Sequence, residues 1–235
     1  MPMSPAQRSQ QRKRAALAAA AAGPQTSMAG ATAYELQLAQ LHQHSQQLKQ
    51  VQSQEAKAEL KRRLLPDYTG YIEGVLSAGK GAQDDVLTTL MLWHFDAGDF
   101  LGGMRIGAYV LEHGLSMPDK FNRSPACLIA EEPAELALRA MKAGNSFPVE
   151  PLVQAAELTA KHDMPDEARA KLHLAIGRAY AFGIDKAELT DDQAELLESA
   201  RDHITRAIEL HDKCGGKKDL EGVTRLLNKH AGTTG

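Results

Sequence analysis

The sequence predicts an all-α protein. Apolar residues recur at the three- and four-residue spacing of helices in one block after another, and no segment keeps the period-two alternation of a half-buried strand. Turn residues punctuate the blocks at Pro66, Gly79–Gly81, Gly98, Gly114 and Gly144, where helices would start or stop. The expected architecture is a long N-terminal oligomerisation helix followed by helical hairpins, tetratricopeptide-like in places.

Residues 1–30 read as a basic, disordered arm. They offer few large apolar side chains to offset the entropy of ordering, and Arg8, Arg12, Lys13 and Arg14 form their basic cluster. Residues 31–66 read as one long helix, free of Pro and Gly from 32 to 65 and stopped by Pro66. Tyr34, Leu38, Leu41, Leu48 and Val51 fall near an a/d repeat. That seam is too narrow and glutamine-rich to be buried within one chain, so it asks for other subunits. Lys57, Lys61, Arg62 and Arg63 cluster at its end as candidate phosphate contacts.

Residues 67–148 read as a helical hairpin domain. Tyr68, Tyr71, Ile72, Val75 and Leu76 give a first apolar face, broken by Gly79-Lys80-Gly81. Val86, Leu87, Leu90, Met91 and His94 give a second. Asp99 is placed to N-cap a third helix carrying Ile106, Tyr109, Val110 and His113, with Gly114 as its C′ residue. A polar loop over 115–127 leads to a helix at 130–143. Residues 149–235 read as a C-terminal helical domain, with helices near 149–162, 166–182, 191–211 and 217–230.

Composition narrows the function. Of 235 residues, 43% are apolar and 24% charged, enough to bury a core in one or two domains. No apolar run nears the roughly 20 residues of a membrane span, and the alanine run 18–22 is too short for a secretory signal. The two cysteines, Cys127 and Cys214, support neither a disulfide framework nor a cysteine-rich zinc site, and point to a reducing cytoplasm. Residues 1–66 hold nine Lys or Arg against three Glu, a net of +6, whereas residues 67–235 carry −9. A basic head on an acidic body implies that the head is the part that meets a polyanion such as DNA.

Two constellations could carry chemistry. Gly74 to Gly81 nearly matches a phosphate-binding loop, but the preceding segment is helical and Gly81 stands where a magnesium-holding hydroxyl is needed. ATP hydrolysis is therefore not expected; Lys80 remains a candidate phosphate contact. Asp84 and Asp85, with Asp96 and Asp99, form the best carboxylate set. Clustered carboxylates can hold Mg2+ and activate water for phosphodiester cleavage, which makes Asp84 and Asp85 the candidate catalytic and metal residues. Helix capping explains the same residues, and a helix of about 12 residues would separate the two pairs by about 18 Å.

Several long strings then carry a resemblance: Ser4-Pro-Ala-Gln-Arg8, Arg63-Leu-Leu-Pro66, Gly74-Val-Leu, GKGAQDDVLTTLMLWHFDAGDFLGGMRIGAYVLEHGLSMPDKFNRSP over 79–125, and DMPDEARAKLHLAIG over 163–177. Together they resemble the small terminase subunit of peduovirus-type temperate tailed phages, usually named the terminase endonuclease subunit. The resemblance implies a ring-forming homo-oligomer in the host cytoplasm. Its partners would be the large terminase ATPase subunit and double-stranded DNA at the phage cohesive-end site. Its work would be cutting concatemers, packaging viral DNA into proheads and so capsid assembly. The resemblance assigns no catalytic residues. Three readings follow: a DNA-recognition and packaging subunit, a metal-dependent endonuclease in its own right, and a helical scaffold without DNA contact.

Overall fold

The computed structural model describes residues 33–119, 121–184 and 189–232. Among them there is no strand, and about three quarters of them are helical. The chain divides into two units, residues 1–52 and residues 53–235.

The first unit contributes α1 (Ala33–Gln50). On it Leu41 and Leu48 are buried, Tyr34 and Leu38 half-buried, while Val51 lies just past its end. The single helix expected over 31–66 is in fact interrupted. The Val51 amide bonds back to the Leu48 carbonyl at 3.2 Å, tightening the last turn. Ser53 then takes an extended conformation and N-caps α2 (Gln54–Leu64), accepting from the Ala56 amide. A capping hydroxyl restarts the helix where no Pro or Gly marks a stop.

In the second unit a 3-10 turn, Leu65–Tyr68, leads from α2 into α3 (Thr69–Ala78). Next come α4 (Asp85–Ala97) and α5 (Phe100–Glu112), joined by Gly98 in the left-handed conformation and by Asp99, which caps α5 through the Gly102 amide. Helix α4 is buried nearly all round: Leu87, Leu90, Met91 and Phe95 are fully enclosed, and Trp93 meets Tyr68 edge-on at 6.1 Å. Such a helix serves as the spine of a core rather than as one of its faces.

Helix α6 (Pro125–Lys142) starts five residues earlier than the sequence suggests. Pro125, read as loop, occupies the first turn, where its missing N–H costs nothing, behind the N-cap Ser124. Then follow α7 (Glu150–Thr159), α8 (Asp166–Ala181), α9 (Asp191–Leu210) and α10 (Lys217–Ala231). In this unit each helix packs on helices one or two positions away in the chain, with α6 chiefly on α8 and α2 on α4. The α8–α9 contact is the closest: a Cβ on Gly177 would stand 2.5 Å from Ile204 Cγ1 and 2.9 Å from the Ala200 carbonyl oxygen. Only glycine lets the two backbones approach so far. Leu197, Ala200, Ile204 and Val223 seal the α9–α10 hairpin.

Candidate DNA-contact and cleavage sites

The basic end of α2 is stapled to the C-terminal end of α4. Lys61 forms an ion pair with Asp96, its side chain only 14% exposed. Arg62 Nε donates to the Ala97 carbonyl at 2.9 Å and its guanidinium pairs with Glu59. Carbonyls at a helix C-terminus carry partial negative charge, so two cations there are doubly favoured. Glu132 of α6 faces the same corner; burial pushes its carboxyl up, with Asp96 and Glu135 adding to the rise and Lys61 opposing it. Of the four basic residues that the sequence singles out, Lys61 and Arg62 thus serve the fold, while Arg63 is exposed and Lys57 half-exposed. Arg8, Arg12, Lys13 and Arg14 lie outside the described residues.

Beside this staple is a hollow of about 370 Å³ lined by Arg62, Leu65, Pro66, Thr69, His94 and Asp99. His94 Nδ1 lies 2.7 Å from Asp99 Oδ2, and Asp99 Oδ1 accepts the Gly102 amide at 3.0 Å. A Cβ at Gly102 would sit 2.5 Å from His94 Nδ1 and would also strike the Asp99 carboxylate. The cap on α5 therefore orients the imidazole as well. His94 Nε2 is buried with no hydrogen-bond partner. In sequence His94 reads as one more apolar-face position and Asp99 as a cap; the signal that joins them is a His five residues before an Asp across a glycine turn.

The GKG segment is a connector. Gly79 and Gly81 have φ of +59° and +62°, and the Gly81 amide donates to the Tyr109 hydroxyl at 2.9 Å. A Cβ there would press on the His113 ring at 2.6 Å. The amide that a phosphate would need is thus already used by α5. Lys80 is exposed between the two glycines.

Asp84 is the N-cap of α4. Its Oδ1 accepts the Leu87 amide at 2.8 Å and its Oδ2 accepts the Tyr71 hydroxyl at 2.5 Å. It is 5% exposed, and burial raises its pKa above the usual carboxylate range although both hydrogen bonds act to lower it. Asp85, half-buried, accepts from Gln83 Nε2 at 3.0 Å, and Gln83 is itself held by both backbone groups of Ser116. With both Asp84 oxygens engaged inside the fold, this pair does not fit a magnesium cradle, which needs several exposed oxygens around one ion. Asp96 and Asp99 stand at the other end of α4, about 20 Å away. Among the described residues no three His, Cys, Asp or Glu come together as a metal-binding group, and no helix is long and apolar enough to cross a membrane.

Comparison with known proteins gives the class. A family model described as phage small terminase subunit matches residues 38–167. The terminase, endonuclease subunit of Escherichia phage P2 is 43% identical over 225 residues, covering 95% of this chain and 85% of the relative. The probable terminase, endonuclease subunit of Haemophilus phage HP1 is 26% identical over 177 residues, covering 71% of this chain and 60% of the relative. No solved structure matches. The chain belongs to the phage small terminase subunit family.

Proposed function

We propose that this chain is a homo-oligomeric terminase subunit that binds double-stranded DNA at a cohesive-end site. It acts with the large ATPase subunit in cutting concatemers and packaging viral DNA into proheads in the host cytoplasm. The observation that carries this is the family match over 38–167 together with a relative 43% identical across 95% of the chain. Supporting it are the +6 head on a −9 body, the exposed Arg63 and Lys80, and the half-buried Tyr34, Leu38 and Val51 of the expected seam, whose Leu41 and Leu48 are already buried within the single chain. The basic arm makes the main phosphate contacts, with Lys57, Arg63 and Lys80 as secondary ones. Lys61 and Arg62 contribute by holding α2 against α4.

The test is a salt titration of affinity for cohesive-end duplex DNA. Replacing Arg8, Arg12, Lys13 and Arg14 with Ala should flatten the log–log slope by about 0.9 for each phosphate that is no longer neutralised. A wild-type protein that does not bind this duplex, or binds with no salt dependence, refutes the reading.

A second reading, cleavage by this subunit itself, is favoured by the names of the two relatives as endonuclease subunits. Purified protein, cohesive-end DNA and magnesium without the large subunit decide it. No ATPase activity is expected from residues 74–81, where a helix stands in place of the strand and Tyr109 occupies the Gly81 amide.

A further inference from the structure

The last two helices carry opposite net charge, and most of the acids of the one and most of the bases of the other fall in one stripe. On α9, Asp191, Glu195, Glu198, Asp202 and Glu209 are all exposed. At 100° per residue they fall within about 60° of arc and run for about 27 Å. The buried residues of α9, namely Leu197, Ala200, Ile204 and Ala207, lie on its opposite side. On α10, Lys218, Arg225 and Lys229 are exposed, fall within about 40° of arc and run for about 17 Å. They lie opposite Val223, Leu220 and Leu227, which pack into the hairpin. Each stripe therefore points away from the shared core. The acids have weak local partners: His230 at 3.2 Å from Asp191, Arg201 at 3.3 Å from Asp202, and Arg206 at 2.9 Å from Glu209. Glu221 borders the basic stripe. Surface pairs of this kind contribute little and exchange readily for others.

We infer that the acidic stripe of α9 in one copy docks on the basic stripe of α10 in the next, so that copies of this chain join head to tail. Charge complementarity names the occupant. The longer acidic row covers the whole basic row, and any pairing that set one stripe against its own copy would put like charges together. Because a copy carries both stripes, on two different helices, each can serve a different neighbour, and the repeat closes into a ring if the rotation allows. A duplex DNA suits the basic stripe less well, since five carboxylates lie on the helix packed beside it. The inference rests on the proposed self-association and adds the surface that performs it.

The test mixes isotopically labelled and unlabelled full-length protein and cross-links it with a carbodiimide, which joins carboxylates to neighbouring lysines. Mixed-label links from Glu195, Glu198 or Asp202 to Lys218 or Lys229 are expected. A second arm reverses each stripe. Lys218→Glu/Arg225→Glu/Lys229→Glu and Glu195→Lys/Glu198→Lys/Asp202→Lys should each raise the concentration needed for assembly about tenfold or more, the scale of three exposed pairs. An equimolar mixture of the two should assemble again, because both contacts are restored between unlike copies. Mixed-label links absent from an oligomer overturn the stripe contact alone. A wild-type monomer overturns both this contact and the proposed self-association. Loss of DNA affinity in the α10 variant with its assembly intact would assign the basic stripe to DNA and also overturns the inference.

Discussion

His173 of α8 and His203 of α9 meet through their Nδ1 atoms at 2.9 Å, with ring centroids 5.1 Å apart. One nitrogen must donate and the other accept, so at least one ring is neutral. Burial, then His203, Arg206 and Arg169, depress the pKa of His173 from 6.5 to about 4; burial also depresses that of His203, against a smaller upward pull from Asp202. The folded state therefore favours the neutral rings. The stability they confer is complete above pH 6.5, the unfolded value, and is lost as pH falls from there toward about 4. A depression of that size corresponds to about 3 kcal/mol for a fully enclosed group; with water reaching part of the pair, about 2 kcal/mol is the working figure. Urea unfolding of the wild type and of His173→Gln/His203→Gln, from about pH 7.5 down to about pH 4.5, isolates it. Carboxylates that titrate in the same range cancel in the difference. The wild type should lose about 2 kcal/mol more than the variant across the window. Equal losses in the two proteins would refute the reasoning.

Gly177→Ala drives a methyl group against the Ala200 carbonyl. Unfolding by urea should show a loss of about 1–3 kcal/mol despite alanine's better helix propensity. Asp84→Asn keeps a side-chain cap on α4 and should cost less than Asp84→Ala, for which thermal unfolding should report about 1–2 kcal/mol. If the subunit cuts DNA, the Asn form should cut it as the wild type does, because the residue serves the fold. Leu41→Asp/Leu48→Asp should lower the native mass measured by light scattering, and an unchanged mass would remove α1 from the assembly.

Much of the fold can be read from the chain because helices are local. The Asp99 cap, the Gly114 stop and the starts of α8, α9 and α10 each depend on residues a few positions apart. The break at residues 51–53 is not legible for a related reason. Ser53 as a cap looks no different in sequence from Ser45 inside α1, and only the conformation distinguishes them. Pro125 hides the first turn of α6, since a proline marks the start of a helix as well as the end of one. The candidate site is less legible because its partners are distant. Lys61 reads as a surface cation until Asp96 arrives from 35 residues away. Asp84 reads equally as cap or ligand until the Tyr71 hydroxyl takes its second oxygen.

The neighbour-to-neighbour packing of the second unit bears on how the chain is made. Helices α4 to α10 each find their partners within two helices on either side in the chain, so no early segment has to wait for the far end of the sequence. As the polypeptide leaves the ribosome it can settle in order, and the entropy lost at each closure is that of a short loop. The same order governs how it can be shortened. A stop after residue 182 would remove α9 and α10 together and leave α2 to α7 with their packing, with α8 bared on one side. A stop after residue 211 would remove only α10 and uncover the Leu197 and Ile204 side of α9, a smaller apolar exposure than the bared α8 of the shorter chain, so the stop after 182 should aggregate more.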